Sequence, residues 1–184
     1  MDKNKWSKNS LLLILKMETK NISQIRILFV CLGNICRSPI AEATFKHLVK
    51  TQNMLHLFEI DSAGTAGYHV GELADPRTRK VAESVGLELD HLSRQFKMED
   101  FERFDYILAM DKSNAQGLSN LARNREQIAK ISLFRAYEKE ARSLEVPDPY
   151  YGDTAAFIKV QSIVEHASKS FLNFLIKKHG LAYK

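Results

Sequence analysis

The 184-residue sequence predicts an α/β fold: a single domain with a four-stranded parallel sheet flanked by helices on both faces. Three observations predict it. Four short apolar runs are separated by segments with helical signals, the alternation that yields parallel strands joined by crossover helices. A glycine-containing loop links the first run to a helix opening. The chain then closes on a long segment whose apolar residues recur at helical spacing. With 45% hydrophobic residues, the chain is long enough to bury one substantial core.

The elements follow in order. Ile25 to Val30 is almost continuously apolar and reads as a buried strand, and Pro39 followed by Ala41, Glu42 and Ala43 reads as a helix opening. Leu57 to Ile60 is the second strand, and Gly64 to Gly71 a loop. Asp75-Pro76 has the form of an N-cap with proline at the first helical position, and Gly86 is a fitting end for that helix. Phe104 to Met110 supplies the third strand, Ser113 to Ala122 a helix, and Ala129 to Phe134 the fourth strand. Arg135 to Pro147 is charged and without apolar periodicity, a surface loop leading to Asp148. From Thr154 to Lys178, Phe157, Ile158, Val160, Ile163, Val164, Phe171, Phe174 and Leu175 recur at helical spacing and mark a long closing helix.

The formal net charge is +5, but its distribution decides what it means. Residues 1 to 26 carry six basic residues against two acidic ones, so the rest of the chain is nearly neutral. That pattern, with no finger, basic zipper or aromatic-basic RNA motif, argues against a nucleic-acid partner. Two cysteines, Cys31 and Cys36, are too few and too close together for a secreted disulfide scaffold or a four-ligand zinc site. A reducing cytoplasm fits them better. Leu11 to Leu15 is too short for a signal-peptide core or a membrane span. Residues 1 to 24 are therefore expected to be a flexible extension, or the product of a gene start placed upstream of an initiating Met17. Membrane contact through them is not expected.

Chemistry concentrates in Cys31-Leu32-Gly33-Asn34-Ile35-Cys36-Arg37-Ser38-Pro39. A short loop between strand and helix curls around a tetrahedral anion: its backbone N–H groups turn inward, the helix N-terminus adds positive potential, and Gly33 permits the turn. The same field favours Cys31 as a nucleophilic thiolate, with Ser38 as a hydroxyl donor to sulfur. Arg37 returns at the lip, where its planar fork can bind two phosphate oxygens. The loop lacks the Gly-Lys-Ser/Thr ending of a nucleotide-binding loop. Taken singly, Cys31 is better read as a buried small hydrophobe and Arg37 as a surface ion pair. Together at a strand end they are better read as a phosphate site.

The second informative segment is Pro147-Asp148-Pro149-Tyr150-Tyr151-Gly152-Asp153. A carboxylic acid held between two prolines suits a general acid that protonates an aryl leaving group and then deprotonates the hydrolytic water. Tyr150 and Tyr151 can wall a pocket deep enough to favour phosphotyrosine over phosphoserine. From this segment alone, a turn-capping Asp148 and tyrosines packed on the last helix fit equally well. No EF-hand spacing is present, and no metal or cofactor is called for.

These segments resemble the low-molecular-weight protein tyrosine phosphatase family. The likeness extends to Asp61-Ser62-Ala63-Gly64, Asp75-Pro76-Arg77, Phe104-Asp105-Tyr106-Ile107-Leu108 and Met110-Asp111, and spans roughly residues 25 to 178. The resemblance implies a metal-free phosphatase domain over residues 25–184, with Cys31 as nucleophile, Arg37 as clamp and Asp148 as acid. It implies that Ser38 supports the thiolate, that Asn34 holds the loop through a polar network with His91, and that Leu32, Ile35, Tyr68, Tyr150 and Tyr151 line the substrate site. It also implies a reversible Cys31–Cys36 disulfide under oxidation, and a phosphotyrosine-containing protein as substrate. Competing functions fit less well. Arsenate reduction in relatives of this fold needs further cysteines, arginine phosphatases prefer threonine where Ile35 stands, and a purely phosphate-binding module would not need all three reactive groups.

Overall fold

A computed structural model describes residues 24–181; the expectations for residues 1 to 23 lie outside the described residues. The sheet consists of β1 (Ile25–Cys31), β2 (Phe58–Gly64), β3 (Tyr106–Ala109) and β4 (Ile131–Leu133), all parallel in the order β2-β1-β3-β4. The helices are α1 (Arg37–Thr51), α2 (Pro76–Ser84), α3 (Asp100–Arg103), α4 (Lys112–Leu121), α5 (Arg125–Ala129) and α6 (Thr154–His179).

β1 is buried along nearly its whole length because it lies inside the sheet and is covered on both faces. Ile27, Phe29 and Cys31 point into a core shared with α1 and α6, while Leu28 and Val30 point into a second core with Phe101, Phe104 and Leu118. Aromatic contacts fill the first core. Phe29 meets Phe134 edge-on at 5.0 Å and Phe45 at 5.9 Å, and Phe45 in turn meets Phe171 at 5.6 Å. α6 is capped at both ends: Asp153 accepts from Ala156 N, and Gly180 is left-handed at φ 62°. α2 matches its sequence signals, with Asp75 accepting from Arg77 N at 2.8 Å and Gly86 at φ 74° just past its end.

Several boundaries differ from the sequence expectation. α1 begins at Arg37, two residues before Pro39. Proline fits there because the first helical N–H groups have no intrahelical partner to lose. The fourth strand shrinks to Ile131–Leu133 because Ala129 ends α5, which Asn124 caps by accepting from Gln127 N at 2.8 Å, and Phe134 opens a 3-10 turn to Tyr137. Residues 135–147 are not wholly a surface loop, since Val146 is fully buried and its N–H donates to Met110 O at 2.7 Å. That bond, with Met110 N donating to Val30 O at 2.9 Å, fastens the segment before Asp148 to the carboxyl end of the sheet.

In this strand order the chain steps from β1 to β2 on one side, then crosses to β3 on the other. The crevice between the carboxyl ends of β1 and β3 is thus the switch point where ligands bind in open α/β sheets. Cys31 sits at its floor, in register with Gly64 of β2.

Candidate active site

Cys31 is buried at the end of β1, and its sulfur lies 3.2 Å from Asn34 N and 3.1 Å from Ser38 Oγ. The left-handed residue of the loop is Asn34, at φ 56°, while Gly33 keeps a negative φ. Four side-chain hydrogen bonds hold Asn34 in that disfavoured conformation. Its Nδ2 donates to Ser38 Oγ and Ser62 Oγ at 2.9 Å each, and its Oδ1 accepts from Arg94 N at 2.9 Å and from His91 Nε2 at 3.0 Å. At Gly33 a Cβ would sit 3.1 Å from His69 Cδ2, so the ring would have to shift by a few tenths of an ångström to admit it. Gly64 is tighter still, since a Cβ on it would lie 2.7 Å from Leu32 O and 2.8 Å from Ala66 O, both backbone atoms.

Behind Asn34 the network continues inward. Ser62 Oγ donates to Glu42 Oε2 at 2.6 Å, and Glu42 also meets Lys46 Nζ at 2.5 Å and His91 Nδ1 at 3.2 Å. Glu42, Asp61 and His91 bring ligand-type atoms within 4.8 Å of one another. Lys46 already pairs with the first carboxylate and Arg94 with the second, at 2.9 Å. The cluster is an ion-pair buttress beneath the loop.

Arg37 heads α1, whose first turn has no side-chain cap, and its guanidinium is only 3% exposed. Nη1 donates to Asp111 Oδ2 at 2.5 Å and to Val146 O at 3.3 Å, while Nη2 donates to Asp148 Oδ2 at 2.5 Å. Burial alone would lower the Arg37 pKa, but the negative charges of Cys31, Asp148 and Asp111 outweigh it and the net shift is upward. Asp111, the N-cap of α4, thus braces the arginine; the sequence offered it only as part of a matching dipeptide. Asp148 Oδ1 accepts from Tyr150 N at 3.1 Å, folding the acid segment into a tight turn.

One cavity of about 280 Å³ brings most of these groups together. Cys31, Gly33, Cys36 and Arg37 line it with Leu32, Ile35, Tyr68, Asp148, Tyr150 and Tyr151, and His69 is a wall residue the sequence reading did not name. Asn34 and Ser38, expected to hold the loop and to support the thiolate, lie buried under the loop at 1% and 0% exposure. Tyr150 and Tyr151 stand edge to face at 5.0 Å. Burial, reinforced by the nearby charge of Asp75, pushes the Cys36 thiol up to about 12.

An anion-sized cleft at the switch point of a parallel sheet, floored by a thiol and walled by a buried arginine, a carboxylate and aromatic rings, defines the class of cysteine-dependent phosphomonoester hydrolases. A family model described as "Low molecular weight phosphotyrosine protein phosphatase" matches residues 26–181, and the chain belongs to that family. A low molecular weight protein-tyrosine-phosphatase of Streptomyces coelicolor is 46% identical over 149 residues, covering 80% of this chain and 91% of the relative. The human low molecular weight phosphotyrosine protein phosphatase is 43% identical over 150 residues, covering 79% of this chain and 92% of the relative. A crystal structure of a protein tyrosine phosphatase from Entamoeba histolytica, with Hepes in its active site, superposes with a TM-score of 0.80 at 40% identity. It spans 86% of this chain and all of that one. Among the described residues, no helix is long and apolar enough to cross a membrane.

Proposed function

We propose that this chain hydrolyses phosphotyrosine in protein substrates by two successive displacements at phosphorus, without a metal or cofactor. In the first, Cys31 Sγ attacks phosphorus as the S–P bond forms and the P–O bond to the tyrosyl oxygen breaks. Asp148 supplies the proton to that oxygen. In the second, Asp148 as carboxylate takes a proton from water, the water oxygen attacks phosphorus, and the S–P bond breaks to release inorganic phosphate and the thiolate. Asn34 N and Ser38 Oγ lie within donating distance of the sulfur, so they serve the leaving thiolate as well as the attacking one.

Arg37 follows the phosphoryl oxygens through both steps. Its pairing with Asp148 gives way when phosphate enters, while Asp111 and Val146 O keep the guanidinium aimed. Leu32, Ile35, Tyr68, Tyr150 and Tyr151 receive the aryl ring, and the depth they add disfavours the shorter phosphoserine. The thiol chemistry suits a reducing compartment such as the cytoplasm. The observation that carries this reading is the convergence of Cys31, Arg37 and Asp148 on one cavity.

The experiment is hydrolysis of para-nitrophenyl phosphate in the presence of chelator, then of phosphotyrosine, phosphoserine and phosphoarginine peptides. Turnover that survives chelation, disappears in Cys31→Ser and prefers phosphotyrosine is expected. Wild-type turnover in Cys31→Ser would overturn the nucleophile, and a preference for phosphoarginine the substrate class.

A further inference from the structure

We propose, resting on the assignment of Asp148 above, that Arg77 is a positioning residue for the general acid: it clamps the turn carrying Asp148 to the helix start that backs the phosphate loop. Arg77 is the second residue of α2. Its Nε donates to Asp75 Oδ1 at 3.0 Å and its Nη2 to Asp75 Oδ2 at 2.8 Å, a two-pronged pairing with a carboxylate that is itself buried. The remaining arm reaches across the cleft wall, with Nη1 donating to Gly152 O at 3.2 Å. The flat guanidinium also lies over the Phe157 ring at 4.4 Å and near the Tyr150 ring at 5.8 Å.

One planar group therefore joins the start of α2, the turn after Asp148 and the first turns of α6. Each contact leads to the chemistry. Asp75 N donates to Ile35 O at 2.9 Å, so the anchor of Arg77 is fastened to the phosphate loop itself. On the other side, Gly152 N donates to Pro149 O at 2.8 Å and Tyr150 N donates to Asp148 Oδ1 at 3.1 Å. The turn that Arg77 grips is thus the turn that aims the acid. A Cβ on Gly152 would meet Ala156 Cβ at 2.6 Å, so the same turn is already pressed onto the start of α6. When Arg37 turns from Asp148 to the incoming phosphate, Arg77 still ties the Tyr150–Gly152 side of the turn to the phosphate loop. Lysine can keep the charge beside Asp75, but as a point charge it cannot grip Asp75, reach Gly152 O and stack on Phe157 together.

The readout is leaving-group dependence, which an unspecific structural defect does not alter. A misplaced acid slows expulsion of a poor leaving group such as tyrosine and spares a good one such as a fluorinated umbelliferone. Values of kcat/KM, which report the steps up to phosphoenzyme formation and so exclude the later step in which Asp148 acts as base, would be measured on a series of aryl phosphates for wild type, Asp148→Ala, Arg77→Met and Arg77→Lys. Asp75→Asn/Arg77→Met is included because Asn still caps α2 and leaves no unpaired carboxylate behind. In Arg77→Met, kcat/KM on a phosphotyrosine peptide is expected to fall about tenfold, part of the roughly 100-fold or more that a positioned acid contributes, with less than about a twofold change on the best leaving group. Arg77→Lys should fall between, and the double variant should match Arg77→Met. Equal losses across the series in Arg77→Met or the double variant, or a wild-type dependence in Arg77→Lys, would overturn the role of Arg77. A flat response in Asp148→Ala would instead overturn the acid on which it depends.

Discussion

Replacing Asn34 with alanine removes the side chain that holds the phosphate loop in shape. The four hydrogen bonds it makes are all buried or nearly so, and the residue is 1% exposed, so water cannot replace them. At about 1 kcal/mol for each lost bond, the direct cost is about 4 kcal/mol. That is a large share of the roughly 5–15 kcal/mol that keeps a domain folded. At roughly 2–4 °C per kcal/mol for a chain of this size, the melting midpoint should drop by roughly 8–16 °C. Asn34→Gly separates the backbone contribution, because glycine accepts the φ of 56° without strain; it should recover about 1 kcal/mol relative to alanine. Catalysis should suffer beyond stability. At a temperature where the alanine variant is still folded, kcat should fall by at least about tenfold, because a shift of the loop by even about 1 Å disturbs attack geometry. The assay is urea unfolding beside para-nitrophenyl phosphate turnover on the same samples. An alanine variant within about 1 kcal/mol of wild type with unchanged kcat would refute the claim that this network shapes the loop.

Further outcomes follow from neighbouring groups. Gly64→Ala should cost about 1–3 kcal/mol and lower turnover, because the added methyl meets two carbonyl oxygens that cannot swing aside; wild-type melting and kcat would show that the loop yields. With the Cys36 thiol pushed up to about 12, iodoacetamide at neutral pH should label Cys31 first, and peptide mapping that finds Cys36 labelled first would contradict this. Peroxide should inactivate wild type reversibly and Cys36→Ser irreversibly, Cys36 condensing with the Cys31 sulfenic acid to a disulfide with loss of water; equal recovery with dithiothreitol would dismiss that role. Acid stability tests the carboxylates. Hydrogen bonding to Arg77 holds the Asp75 carboxyl below its ordinary range, and burial of Asp105 is outweighed by its bonds to Arg26. A lowered folded value stabilises the fold above the unfolded value of about 3.9 and is lost as pH falls through the folded value. Urea midpoints should therefore fall more steeply below about pH 4 in wild type than in Asp105→Asn, and parallel curves would contradict the assignment.

The parts of the molecule legible in sequence are those fixed by local pattern. β1 announces itself because a strand covered on both faces must be apolar throughout, and α2 and α6 because Asp75, Gly86 and the repeating apolar face of residues 154–178 are local signals. β4 is present where the sequence places it but shorter at both ends, since three half-buried residues at a sheet edge carry little pattern, and α5 escapes the sequence reading although Asn124 supplies an N-cap. Within the site, Cys31, Arg37 and Asp148 stood out by residue type and spacing. What brings Asp111 to Arg37, Glu42 to Ser62 and Arg77 to Gly152 is the folded topology, joining positions 20 to 75 residues apart. Sequence spacing has no access to that. Glycine accepts a left-handed turn most easily, yet four side-chain hydrogen bonds let Asn34 adopt it in this loop.

The most direct test of the account is to catch the covalent intermediate. Asp148→Ala mixed with a good aryl phosphate and quenched within the first turnover should carry one phosphoryl group, because the acid is dispensable for that leaving group but needed as base for hydrolysis. Intact mass and peptide mapping should place it on Cys31, and Cys31→Ser should carry none. Full turnover with no phosphoenzyme at any quench time, or a phosphoryl group on another residue, would contradict the mechanism.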